Sequence, residues 1–221
     1  MSVIHRTTLS PGKLDLLTSW LPSRRWYQGG AGGPVLAKAG GFRLDDPEGE
    51  VGIEFMVVTD TAGTPPVTYL TPLTYRDAPL DGAEHALVGT AEHGVLGRRW
   101  VYDGGHDPVL VRQLTALLEG RVQAQRQSVS DTVDRDVSVV RTGDGPLPAD
   151  FSVTEDDRES TVLTGSRGTA LHLHRIPRPA PAGPSPVPAE AMGHVTGTWR
   201  TPGGGSVRGV FAVLYGDGSR G

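Results

Sequence analysis

Three histidines offer the chain its clearest metal chemistry. His172 and His174 stand two residues apart in an alternating apolar stretch. On a strand both imidazoles then face one side. Two imidazoles on one face can chelate zinc, with His194 as a third ligand. The alternative is a half-exposed strand face in a chain of seven histidines. The acidic pairs Asp45-Asp46 and Asp156-Asp157 are the next set. Paired carboxylates suit general acid–base work, and the alternative for them is solvated loop charge. Gly29, Gly30, Gly32 and Gly33 miss the dinucleotide fingerprint and lie outside any parallel βαβ unit, so they read as a turn. The sequence has no HExxH, Walker A, G-x-S-x-G or CxxC motif.

The elements that must position these residues are short. Among the 221 residues are 31 glycines and 18 prolines, which favours many turns and short strands over a helical bundle. The net charge of −4 gives no basic surface for nucleic acid. With no cysteine there is no disulfide and no thiolate metal site. Neither a signal peptide nor an apolar run long enough to span a bilayer is visible, so a soluble cytoplasmic protein is expected.

Leu14, Leu17 and Leu21 recur at helical spacing beside Trp20, with Ser10 as the expected N-cap, Pro11 as the first helical residue and Pro22 as the stop. Val35–Leu44, Val51–Thr59 and Val67–Leu73 read as an antiparallel meander, with Ile53, Phe55 and Val57 on one face of the middle strand. Ala86–Thr90 and Arg98–Tyr102 follow. Asp107 and Pro108 then open a helix whose face is Leu110, Leu114, Leu117 and Leu118, ending near Gly120. Gly120–Asp136 is polar and reads as a connector. Val137–Arg141, a hairpin of Ser160–Thr164 with Thr169–His174, and a last hairpin of Val195–Arg200 with Val207–Tyr215 complete the strands. Six prolines fall in Ile176–Pro188, so that segment, with its loop 177–188, is extended or disordered. The fold class expected is α+β: an antiparallel sheet with two helices over residues 10–126, then a small antiparallel sheet over 137–221.

The stretch WLPSRRWY (Trp20–Tyr27) resembles the opening of bacterial maltokinases and their aminosugar-kinase relatives. The later Tyr102-Asp103…Asp107-Pro108 segment, opening a Leu-rich helix, resembles the same N-terminal cap. The basic residue usual after the aromatic pair is replaced by Gln28-Gly29-Gly30. The resemblance implies a cap domain followed by a kinase-like N-lobe, in which a hairpin covers the ATP phosphates and the next strand carries a lysine.

By that resemblance Asp157–Gly165 takes the place of the phosphate hairpin, with Ser160 and Thr161 as its small polar residues. His172 falls where the lysine belongs, and no lysine follows Lys38. Phosphate cradles use backbone N–H groups and a cation, yet this hairpin presents Glu155, Asp156, Asp157 and Glu159 against Arg158 alone. The proline segment replaces the helix that would orient a lysine. Gly221 lies about where a hinge to a C-lobe would begin, and taken as a natural end it leaves no catalytic base or magnesium aspartate to follow.

Two functions follow from the resemblance. One is a non-catalytic cap/N-lobe protein that binds or regulates a protein partner, such as a kinase C-lobe or an enzyme of carbohydrate metabolism. It would need no cofactor and act in the trehalose, glucan or aminosugar metabolism of a high-GC, actinobacterial-like organism. The other is the N-terminal half of a split ATP-dependent sugar kinase, phosphorylating maltose or glucosamine once a separate C-lobe completes it.

Overall fold

A computed structural model describes residues 9–30, 32–127, 129, 132–143, 145–180 and 187–216. These form two α-helices and thirteen strands. In chain order they are β1 (Leu9–Ser10), α1 (Lys13–Trp20), β2 (Leu36–Leu44), β3 (Gly52–Asp60), β4 (Val67–Arg76), β5 (Leu87–His93) and β6 (Gly97–Asp103). After them come α2 (Pro108–Leu118), β7 (Gln125–Arg126), β8 (Ser138–Arg141), β9 (Ser152–Asp156), β10 (Ser160–Thr164), β11 (Ala170–His174), β12 (Ala191–Arg200) and β13 (Ser206–Tyr215). The strands join in the order β1-β5-β6-β4-β3-β2-β12-β13-β11-β10-β9, with β7 beside β2 and β8 beside β12. The described pairings are antiparallel and only two short helices flank them, which makes the α+β class a property of the structure.

The middle strand of the meander is buried on both faces. Ile53, Phe55 and Val57 face a large core that also takes Leu110, Leu114 and Leu117 of α2 and Leu163, Leu171, Leu173 and Phe211 of the later strands. In it the rings of Phe42 and Phe55 stack at 4.5 Å, and Phe211 lies 6.3 Å beyond Phe42. Met56 and Val58 face a second core built on Leu17, Trp20, Trp26 and Tyr69. Trp26 is fully buried and meets Trp20 edge-on at 5.7 Å. Each such ring or leucine removed from water contributes about 1.5–3 kcal/mol, so Trp20 and Trp26 belong to the core.

Several boundaries differ from the sequence reading. Helix α1 is capped by Gly12, whose N–H donates to Asp15 Oδ2 at 3.0 Å, rather than by Ser10. Pro11 stands outside it behind a cis bond from Ser10. Pro22 sits inside a 3-10 turn, Leu21–Ser23, that prolongs the helix before the chain turns away at Arg24. The polar connector is not featureless: β7 pairs Arg126 with Phe42 and bridges Gln125 to Val133. A strand that alternation did not reveal, β9, pairs with β10 through a bulge between Val162 and Leu163. Of the proline segment, Pro179 bridges Gly209 and the Ala180 N–H donates to Arg208 O at 2.7 Å. Its centre, 181–186, lies outside the described residues, as do 1–8 and 217–221.

Helix α2 matches expectation. Asp107 caps it, accepting from the Val109 N–H at 2.9 Å. The same buried carboxylate takes both arms of Arg76, each at 2.7 Å. Such a two-pronged pair fixes the helix start to the end of β4.

Candidate functional site

The turn joining β9 to β10 is built around Asp157. One carboxylate oxygen accepts from the backbone N–H groups of Glu159 at 2.7 Å and Ser160 at 2.6 Å. The other accepts from the Ser160 hydroxyl at 2.8 Å. The Asp157 N–H closes the turn on Ser160 O at 2.9 Å. Partial burial opposes ionisation of Asp157, but the bonds from Glu159 and Ser160 outweigh it and hold the carboxyl below its ordinary range. Two amides and a hydroxyl, the donors a phosphate would need, are therefore occupied by a carboxylate of the same turn. A phosphate charge about 4 Å from that carboxylate meets roughly 4 kcal/mol of repulsion at an effective dielectric near 20.

Thr161 points the other way and is buried. Its hydroxyl donates to Asp156 Oδ1 and accepts from Arg175 Nε at 2.7 Å. Arg175 is itself fully buried, and its Nη2 reaches Asp103 Oδ1 at 2.8 Å and Oδ2 at 2.7 Å. Asp103 also accepts from the Gly105 N–H at 3.3 Å. The guanidinium carbon lies 5.2 Å from the centre of the Trp26 ring, and Nη1 has no hydrogen-bond partner. The aromatic face supplies the remaining contact to the cation. Main-chain bonds complete the clasp: Arg175 N–H to Glu159 O at 2.7 Å, and Leu70 N–H to Arg175 O at 2.8 Å.

His172 and His174 do share one face of β11, with Leu171 and Leu173 buried on the other. His172 lies edge-on to Tyr215 at 4.8 Å. His194 reaches the same face through Val213, the partner in register of both His172 and His194. That puts two strand spacings, about 10 Å, between their backbones. Among the described residues no group of three or more His, Asp or Glu side chains is placed to hold a metal ion. Burial lowers the pKa of all three histidines, against the opposing fields of Asp157 and Glu155 at His172. Neutral imidazoles supply no fixed positive charge beside the turn.

The acidic pairs serve the fold. Asp46 is buried and accepts from the N–H groups of Glu48, Glu50 and Val51. Asp156 holds Thr161. Sequence reasoning passed over Arg175, although a signal was present. Period-two alternation carries the buried face from Leu171 and Leu173 to residue 175, and a charge on that face demands a buried acid.

The buried acids Asp103 and Asp107 belong to the Tyr-Asp…Asp-Pro segment, and Trp26 to the aromatic stretch near the start. The family model of the maltokinase N-terminal cap domain matches residues 20–107, from Trp20 to Asp107. The chain carries a maltokinase cap domain. No curated protein matches the chain. The matched cap spans strands β2 to β6 and ends on Asp107, the residue that caps α2. Arg175 lies outside the match, so the Arg175–Asp103 pair fastens the cap to the strands that follow it. No helix among the described residues is long and apolar enough to cross a membrane.

Proposed function

We propose that the chain is a non-catalytic relative of the maltokinases, a cap with an N-lobe-like sheet that binds or regulates a protein partner in carbohydrate metabolism. The observation that carries this reading is the Asp157 carboxylate on the Glu159 and Ser160 amides. ATP with magnesium, which the kinases of this resemblance use, does not fit that donor set. Its phosphates would have to displace an ionised carboxylate that makes three hydrogen bonds. The cations near the site are few: His172 is held toward neutrality by burial, Arg175 is turned inward onto Asp103 and Arg178 is paired with Glu159, which leaves Arg158 against the carboxylates of the turn.

A thermal-shift titration with ATP, with and without magnesium, tests the reading. A nucleotide at about 100 times its dissociation constant adds roughly 2.7 kcal/mol. At about 2–4 °C per kcal/mol for a chain of this size, that is a rise of roughly 5–10 °C. The proposal expects no rise at millimolar nucleotide. A magnesium-dependent rise would replace it with the split-kinase reading, in which a separate C-lobe completes the site.

A further inference from the structure

Two histidines of the cap, neither of them on β11, come together at the surface. His85 Nε2 and His106 Nδ1 are 3.1 Å apart, and the two rings stand nearly perpendicular, at 86°. Each is carried by a short 3-10 turn. His85 lies in the turn Glu84–Ala86, which closes through the Ala86 N–H to Ala83 O at 2.9 Å. Ala83 and Ala86 are buried against Tyr102, whose hydroxyl accepts from the Leu80 N–H at 2.9 Å. His106 ends the turn Gly104–His106, between two buried acids that arginines hold, Asp103 by Arg175 and Asp107 by Arg76. Both imidazoles therefore stand on backbone that is already set, as a preorganised chelate requires.

A hydrogen bond between two imidazoles needs one ring to donate and the other to accept. The same separation suits two ligands of one metal ion. Imidazole nitrogens lie about 2.0–2.1 Å from zinc, so nitrogens 3.1 Å apart subtend roughly 95–100° at the ion. That angle falls between the square-planar and tetrahedral arrangements that such ions adopt.

The surroundings favour a cation. Burial, above all, lowers the pKa of His106 and keeps the ring in the neutral form that ligates. Asp103 and Asp156 act on it with negative charge against the positive charge of Arg175, which Asp103 already neutralises. The Glu84 carboxylate stands within electrostatic reach of His85. His85 is exposed and His106 half-buried, so water can complete the coordination shell.

We propose that His85 and His106 form a two-imidazole site for a borderline divalent transition-metal ion such as zinc, with water as the remaining ligands. With only two protein ligands the site is open and the ion exchangeable. Magnesium, which takes oxygen ligands, does not suit it. The proposal does not depend on what the Asp157 turn binds.

Isothermal titration calorimetry of zinc chloride into the full chain tests it. His85→Ala removes one ligand at an exposed position, and His106→Gln removes the other. His172→Gln with His174→Gln is the control for the other imidazoles that share a strand face. Melting temperatures without metal show which variants fold, and His85→Ala decides alone should His106→Gln not fold. The expected result is saturable binding of one zinc ion per chain, with a zinc-dependent rise in melting temperature. His85→Ala and His106→Gln should each weaken it about tenfold or more, and the β11 double variant should leave it unchanged. No saturable binding overturns the proposal. So does binding that His85→Ala leaves intact, or binding that the β11 double variant abolishes. Zinc alone and ATP with magnesium are separate titrations, so either proposal can fail without the other.

Discussion

Arg175 places one guanidinium nitrogen 2.8 and 2.7 Å from the two carboxylate oxygens of Asp103, 72 residues away in the chain, with both side chains buried. A buried ion pair is costly to desolvate, and here Thr161, the Gly105 N–H and the Trp26 ring offset part of that cost. Removing one partner strands the other charge. Arg175→Met or Asp103→Leu alone should lose about 3–5 kcal/mol in urea unfolding. The double variant should lose clearly less than the sum of the two. Strict additivity would show that the pair is not coupled.

Glu54 is another buried carboxylate of the cap, and it gathers Lys13, the Tyr75 hydroxyl at 2.8 Å and the Gln127 amide. Burial pushes its pKa up, but Lys13 and the Tyr75 hydroxyl more than reverse that and hold it below the ordinary value. A depressed folded-state pKa means stability that is present above the unfolded value, near 4.3, and lost as pH falls through the folded one. Lys13→Met should therefore destabilise by about 1–3 kcal/mol at pH 7, discounted because the lysine is partly exposed. The gap from the parent should close as pH falls and Glu54 protonates. A gap independent of pH would point to lost packing instead.

The histidines give a separate acid limb. Burial lowers the pKa of His172, His174, His194 and His106. The unfolded chain then binds protons first, so stability is full above about 6.5 and declines as pH drops through the folded values. Around β11 the facing charges are Asp157, Glu155 and Glu159, which favour protonation and limit the decline. His172→Gln with His174→Gln should flatten the stability curve below about pH 6.5. An unchanged slope would assign the limb to other groups.

Asp157 makes its turn through three accepted hydrogen bonds. Its depressed carboxyl contributes stability above the unfolded pKa, near 3.9, which is lost as pH falls through the folded value. Asp157→Ala should cost about 1–2 kcal/mol at pH 7 by leaving those donors to water. It should also remove that part of the acid dependence. Little or no loss from Asp157→Asn, which keeps an acceptor but no charge, would show that the ionised form is not what holds the turn.

Much of the architecture was legible because it rests on local rules. The alternation in Val51–Thr59 placed Ile53, Phe55 and Val57 on one face, and Asp107-Pro108 announced α2 with its cap. What escaped depended on which partner the folded backbone brings to a side chain, whether near in the chain or far. Ser10 has the right chemistry for a cap, yet Asp15 served Gly12 instead. Asp157 read as a solvated charge, because only the folded turn brings the Glu159 and Ser160 amides to it. Arg175 stood at the end of an alternating strand, and its acid lay in another part of the chain. His172 and His174 were placed on one face correctly, and that face is laid against Tyr215.

The central claim is that Asp157 occupies the donors a phosphate would take. Amide chemical shifts of Glu159 and Ser160, followed while ATP and magnesium are titrated into the labelled protein, address it most directly. The account predicts that both amides stay in place at millimolar nucleotide and move only when Asp157 is titrated with acid. A saturable, magnesium-dependent displacement of the two amides would contradict it.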